Sequence, residues 1–350
     1  FHDKFTGEVR DPRGFTISKT GTYGTAGWMS DKDMKEVLEL TTPSKAEGNI
    51  LGEHRGQLVC LPKDTRLNRH TAIFGASGTM KSRAVIRNAL FQAIKRGESV
   101  IISDPKSEMY NDTSQLFRNN GYEVKVFNLV DPTRSDTWNC MSDMGTDSLM
   151  AQMLTNIIIG NTNSGKSDHF WDNGELNLLK ALVLYVALDS NRTEDQKNLA
   201  EVYLMITDKS DKDYADIYKD LPKDHPARSS LNLYIQASET VRQGIKQGLG
   251  TRLQVLQNKV VTRLISGNEI DLTAPGKRKC AYYIILSDQE TSMAFLSSLF
   301  FSFMFIKLTR FADNSPGGHC PVPVNLVLDE FNNIGRIGGA HDGSDFARSL

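Results

Sequence analysis

Between residues 70 and 129 short apolar runs alternate with segments of helical periodicity, and that alternation limits the chain to very few folds. His70-Thr71-Ala72-Ile73-Phe74 reads as a strand, 82–96 as a helix, 99–103 as a strand, 107–119 as a helix and 123–129 as a strand. Strands separated by single helices connect as right-handed βαβ units, which build a mostly parallel sheet covered on both faces. The alternation stops near Cys140. From 147 to 264 the periodicity is helical, as in 175–186, and only Ile157-Ile158-Ile159 also reads as a strand. Buried strands return at 280–286 and 324–328. The pattern predicts an α/β core with a mostly parallel sheet, interrupted by an inserted all-α domain. The core takes residues 70–145 and 266–350, the insertion 146–265, and residues 1–69 form a separate β-edge segment. A length of 350 residues suits two domains at about 150 residues each, here nested rather than consecutive.

Residues 1–69 carry weaker signals. Ser30-Asp31-Lys32-Asp33 reads as a capping box opening a helix to Leu40. Residues 49–52 and 57–61 read as short strands split by a His54-Arg55-Gly56 turn. The start at Phe1 shows no basic and apolar leader, and 346–350 read as the beginning of a helix, so the sequence is expected to be a piece of a longer chain. The uncharged stretch 291–306 contains Ser292, Ser297, Ser298 and Ser302. It is shorter than the roughly 18–20 apolar residues of a spanning helix, and is expected as a buried core helix. Cys60, Cys140, Cys280 and Cys320 lie far apart, the pattern of reduced cytosolic thiols without a zinc site.

With 41 Lys and Arg against 42 Asp and Glu the net charge is -1, which excludes a binder driven by bulk positive charge but not one with a basic face. The cancellation is regional. Residues 189–224 hold ten acids against six bases, and 241–279 eight bases against two acids. Each run reads either as solvated helix faces or as a surface for DNA or an acidic partner.

A phosphate-binding loop needs a strand end, a turn of free backbone N–H groups, a Lys for the terminal phosphates, a Ser or Thr hydroxyl for Mg²⁺, and a helix whose N-terminus faces the anion. Two segments compete. Gly160-Asn161-Thr162-Asn163-Ser164-Gly165-Lys166-Ser167 matches G-x-x-x-x-G-K-[ST] at every defined position, but it lies in the helical block, and Asp168 follows at once. Gly75-Ala76-Ser77-Gly78-Thr79-Met80-Lys81-Ser82 has Met80 where the last Gly belongs, yet it follows a strand and runs directly into a helix. Context favours the second. ATP contacts are therefore expected from Gly75, Ala76, Ser77, Gly78, Thr79, Met80, Lys81, Ser82 and Arg83, with Lys81 on the phosphates. A side chain at Met80 hinders the backbone shape that Gly permits, so weakened ATP affinity is one consequence unless Gly78 supplies the freedom.

Val324-Asn325-Leu326-Val327-Leu328 ends in Asp329 and Glu330. Alternation sends these neighbours in different directions, so they suit different work: Asp329 with Ser82 on a hydrated Mg²⁺, Glu330 polarising the attacking water. The plain alternative is two solvated acids. Asp104-Pro105-Lys106 stands at the end of the second strand, where α/β sheets place ligand-contacting loops. It is either part of the site or a turn set by Pro105.

At these motifs the sequence resembles the coupling proteins of type IV secretion and conjugation systems, the membrane-anchored ATPases of the TraG/VirD type. The resemblance runs through Gly24-Thr25-Ala26-Gly27-Trp28, the 75–82 loop, Asp104-Pro105-Lys106-Ser107-Glu108, Phe170-Trp171 and Asp329-Glu330-Phe331-Asn332-Asn333-Ile334-Gly335. Each motif is weak alone; their order and spacing are specific. A loop with Met before Lys also looks like a variant within this family. The resemblance implies a RecA-like P-loop NTPase core, ATP and Mg²⁺ as ligands, an N-terminal membrane anchor absent here with the remainder on the cytoplasmic face, and a homo-hexameric ring. It implies as partners DNA, single- or double-stranded and mainly non-specific, a relaxase or other secreted cargo, and type IV secretion channel components. Arg336 and Arg348 are loop candidates for a finger role. Two other readings stay open: an FtsK- or HerA-like DNA translocase of segregation or packaging, and an all-α domain acting mainly as a cargo-docking module.

Overall fold

Side-chain alternation along four parallel strands decides where the core sits. A computed structural model describes residues 9–10, 16–17, 29–76, 78–162, 169–286, 292–335 and 337. The chain divides into two units, Phe1–Phe74 and Gly75–Leu350.

In the first unit β1 (Val9–Arg10) pairs antiparallel with β2 (Thr16–Ile17). The helix α1 (Asp31–Val37) is capped by Ser30, whose hydroxyl accepts from the Asp33 N–H at 3.2 Å. It ends before Leu40 because β3 (Glu39–Thr41) is drawn into a three-stranded antiparallel sheet with β4 (Asn49–His54) and β5 (Gln57–Leu61), in the order β3-β5-β4. The strand expected over residues 70–74 is not formed, and Phe74 is 93% exposed. An apolar alternating run becomes a strand only through a ladder partner, and among the described residues this one has none. The Gly24–Trp28 motif lies outside the described residues.

The second unit runs through α2 (Arg87–Arg96), β6 (Ser99–Asp104), α3 (Glu108–Asn119) and β7 (Glu123–Asn128) before the sheet is interrupted. The helical block comprises α4 (Cys140–Met144), α5 (Ser148–Asn161), α6 (His169–Leu188), α7 (Leu199–Asp208), α8 (Asp211–Asp220), α9 (Ala227–Ile235), α10 (Glu239–Arg252) and α11 (Lys259–Ser266). After the short α12 (Ala274–Lys277) come β8 (Cys280–Ile285), α13 (Ala294–Asp313) and β9 (Val324–Leu328). The four strands form one parallel sheet in the order β7-β8-β6-β9. The strand that follows the insertion thus slots between the two that precede it, and the core is one sheet despite the interruption.

Both faces of that sheet are covered, which is why β6 and β8 are buried along their whole length. Val100, Ile102, Ala281 and Tyr283 pack with Ile86, Leu90, Ala93, Met109 and Phe117 of the helices on one face. Ile101, Phe127, Tyr282 and Ile284 face α13 and, through it, the insertion. Phe300 of α13 stacks on Phe127 at 5.1 Å and meets Trp138 edge-on at 5.2 Å. Although α13 is long and apolar enough to cross a membrane, Phe295–Met304 are buried in the core, as the sequence led one to expect.

Inside the insertion α6 is the hub, packing against α5, α7, α9 and α10. The Ile157-Ile158-Ile159 run is helical, not a strand: Asp147 caps α5, accepting from the Leu149 N–H at 2.9 Å, and all three isoleucines are buried. Packing on every side outweighs the modest helix penalty of β-branching. The four cysteines are free, and burial pushes the Cys280 thiol up to about 12, so it is inert at neutral pH.

Candidate nucleotide-binding site

The 75–82 loop is a tight turn that opens a helix. Thr79 closes it, its N–H and hydroxyl both donating to the Ala76 carbonyl, at 3.3 and 2.8 Å. Gly78 and Met80 both adopt left-handed backbone, φ +79° and +61°. Gly does so freely, whereas Met80 carries a steric cost of about 1–2 kcal/mol; its side chain goes to solvent. The helix begins as a wide π turn over Ser82–Ile86, where Arg87 N–H donates to the Ser82 carbonyl, and continues as α2. Such turns recur at functional sites. Ser77 lies outside the described residues; Gly75, Ala76 and Arg83 are exposed. The Lys81 ammonium donates to the carbonyls of Gly75 at 2.7 Å and Ala76 at 3.1 Å, so it sits over the mouth of its own loop.

The partner side chains arrive from the carboxyl ends of β6 and β9, neighbours in the sheet. Ser82 Oγ donates to Asp329 Oδ2 at 2.9 Å, across 247 residues of sequence. Ser103, at the end of β6, fixes that acid's backbone by donating to the Asp329 carbonyl at 2.7 Å. Glu330 takes left-handed backbone, φ +49°, and its N–H donates to Asp329 Oδ1 at 3.1 Å. Asn333 Nδ2 donates to Glu330 Oε2 at 3.2 Å, and Lys106 Nζ lies 3.9 Å from Oε1. Ser107 is left-handed as well, φ +58°. Among the described residues of this unit, Met80, Ser107 and Glu330 are the non-glycine residues with left-handed backbone, a costly conformation that recurs at functional sites.

Asp104 and Lys106 separate. Asp104 is buried and receives the Tyr110 N–H at 2.8 Å, capping the start of α3. Burial pushes its carboxyl up, against the pull of the backbone N–H groups of Tyr110, Met109, Lys106 and Glu108. That is a structural cap, whereas Lys106 reaches Glu330. Sequence reasoning missed Ser103 and Asn333; the first is an ordinary strand serine by sequence, and the second stood inside a motif read only for its acids.

The other candidate loop is built differently. Gly160 and Asn161 form the last turn of α5, and 163–168 lie outside the described residues. The basic run also changes meaning. Of its eight bases, Arg242 pairs with Asp211, Arg252 with Asp172 and Glu175, Lys277 with Asp271 and Arg278 with Glu123. Lys246 and Lys279 donate to the carbonyls of Lys209 and Asn120. Half of the bases thus meet a carboxylate, while Lys259, Arg263, Lys277, Arg278 and Lys279 remain exposed. Arg336 and Arg348 lie outside the described residues.

Hydroxyl and carboxylate oxygens converging at Ser82 and Asp329 are hard donors of the kind Mg²⁺ takes alongside phosphate oxygens and water. Among the described residues no cluster of three His, Cys, Asp or Glu side chains offers an all-protein metal cage.

The chain matches the family model for type IV secretory system conjugative DNA transfer over residues 27–349. No curated protein matches it. Among solved structures it is similar to the bacterial conjugative coupling protein TrwBdeltaN70 in an unbound monoclinic form, with TM-score 0.51 at 16% identity over 76% of this chain and 56% of that one. It is similar also to the plasmid coupling protein TrwB in complex with the non-hydrolysable GTP analogue GDPNP, with TM-score 0.50 at 16% identity over 77% of this chain and 59% of that one. The chain spans less than two thirds of the length of these structures. At such identity the likeness speaks for the fold, a RecA-like core with a parallel sheet, while the family match extends over nearly every residue. The chain belongs to the type IV secretory system conjugative DNA transfer family, the coupling proteins of conjugation.

Proposed function

We propose that this chain is the ATP-hydrolysing body of a conjugative coupling protein, which takes up DNA with a relaxase or other cargo and drives it into a type IV secretion channel. The observation that carries the reading is the 2.9 Å bond between Ser82 and Asp329. It joins the phosphate-loop segment to the acid pair at the end of β9, from opposite sides of the insertion. The solved relative in complex with a GTP analogue supports a nucleotide as ligand of this fold.

In this reading Lys81 exchanges the Gly75 and Ala76 carbonyls for the terminal phosphate oxygens, adding its charge where negative charge grows during phosphoryl transfer. Ser82 and Asp329 hold Mg²⁺, which when bound neutralises and orients the phosphates. Glu330, braced by Asn333, orients the attacking water and accepts its proton. Membrane attachment and a ring of identical copies complete the picture for the longer protein. The test is DNA-stimulated ATP hydrolysis by the full-length protein: Lys81→Ala and Glu330→Gln should each abolish it, and unchanged turnover in either variant sinks the assignment.

A further inference from the structure

The 160–167 segment matches the phosphate-loop pattern yet starts inside a helix, and its second residue makes a contact that the pattern does not foresee. Asn161 closes its own helix by donating from Nδ2 to the Ile157 carbonyl at 2.9 Å, and presents Oδ1 to Ser298 Oγ of α13 at 3.0 Å. Ser298 Oγ lies 2.8 Å from the Ile334 carbonyl, and Ser297 Oγ lies 2.8 Å from the same oxygen. The Ala294 carbonyl one turn back lies 2.8 Å from Ser297 Oγ and 3.3 Å from Ser298 Oγ, so with one proton per hydroxyl Ser297 serves Ile334 or Ala294, and Ser298 serves Asn161, Ile334 or Ala294. Both serines and Ile334 are buried.

Ile334 ends the short turn Phe331–Ile334 that begins at Glu330. Asn333 closes this turn, its N–H donating to the Glu330 carbonyl at 2.8 Å and its side chain to the carboxylate at 3.2 Å. Gly335 follows with φ +83°, and a Cβ there would stand 2.2 Å from Ser298 Oγ and 2.8 Å from Asn161 Oδ1. The turn is therefore bonded at one end to Glu330 and at the other to a tight polar node shared by α13 and the last turn of α5. Buried polar groups left unsatisfied are costly, so the node resists being broken. Motion of α5 must carry the turn with it or pay that cost.

Building on the reading of Glu330 as the residue that orients water, we propose that Asn161, Ser297 and Ser298 are positioning residues for it. Through the Ile334 carbonyl, the all-α insertion sets where the carboxylate points. A displacement of about 1 Å at such a group can cost about 100-fold in rate, so a weakened node lowers turnover without touching the phosphate loop.

The experiment uses the full-length protein with Ser298→Ala, Asn161→Ala and the double variant, measuring kcat and KM for ATP hydrolysis and the Kd of a fluorescent ADP analogue. Each single change should lower kcat about tenfold with KM and Kd within about twofold, and the double should be no worse than the stronger single, because the residues act as one unit. Turnover within twofold of wild type in both singles, multiplying losses in the double, or ADP affinity falling in step with kcat overturns the proposal. Ser297→Ala is a second probe of the Ile334 carbonyl should Asn161→Ala fail to fold. Glu330→Gln is run alongside: full turnover in that variant overturns the underlying role of Glu330, whereas its loss together with normal node variants overturns the positioning proposal alone.

Discussion

Two segments of this coupling protein compete for the same chemical role, and they differ in an instructive way. Residues 160–167 match the phosphate-loop pattern at every defined position; residues 75–82 break it at Met80. Yet the broken motif stands beside the acids at the end of β9, with Ser82 bonded to Asp329, and the perfect one begins in the last turn of α5. A pattern of residue types fixes which groups are available. Whether they surround an anion depends on the element that precedes them and on what the sheet brings opposite.

That comparison breaks most directly at the two lysines. Lys81→Ala should weaken ATP-analogue binding by about 100-fold or more, since a charge-assisted contact to phosphate is lost, while Lys166→Ala should bind within about twofold of wild type; fluorescence titration of both decides it. A reversal of the two results would hand the site to the 160–167 segment.

The 160–167 segment is expected to matter through Gly335, which packs against Asn161. Gly335→Ala combines a left-handed backbone with a Cβ placed against Ser298 and Asn161. It should lower kcat about tenfold while ADP affinity stays near wild type, read from steady-state hydrolysis beside a binding curve. Met80→Gly sharpens the 75–82 segment: removing the side chain from a φ of +61° should raise nucleotide affinity or loop stability by about 1 kcal/mol. Weaker binding would mean that Met80 contributes a contact of its own.

The smallest effect concerns the framework. Asp104→Ala frees the N–H groups at the start of α3 and should cost about 1–2 kcal/mol in chemical unfolding, with KM for ATP unchanged. Because burial holds the Asp104 carboxyl above its ordinary range, its ionisation works against the folded state. The contribution is fully present at acidic pH and is lost as pH rises from about 4 through the folded value. Asp104→Asn should flatten that slope in a pH series of unfolding midpoints.

Much of this architecture is legible in the sequence because it rests on periodicity. The buried runs at β6 and β8, the half-buried run at β9 and the uncharged stretch within α13 are written directly in residue types, and so is the interruption between β7 and β8. What was not legible is relational. Residues 70–74 have the composition of a strand, but a strand is a pairing, and no run of residues states its partner. Ile157-Ile158-Ile159 looks extended until three-sided packing makes it helical. The net charge of 241–279 does not state its partners: Asp211, Asp172, Glu175, Asp271 and Glu123 meet four of its eight bases. At the site, Lys81, Ser82, Asp329 and Glu330 could be named from their motifs, whereas Ser103 and Asn333 could not, since their importance lies in which backbone oxygen or carboxylate they reach.

The central claim is that Ser82 and Asp329 together make one Mg²⁺-nucleotide site. The most direct test is calorimetric titration of the full-length protein with an ATP analogue, with and without Mg²⁺, for wild type, Ser82→Ala, Asp329→Ala and the double variant. The account predicts that each single change removes most of the affinity gained from Mg²⁺ and that the double removes little more. A full Mg²⁺-dependent gain in either single variant, or losses that simply add, would contradict it.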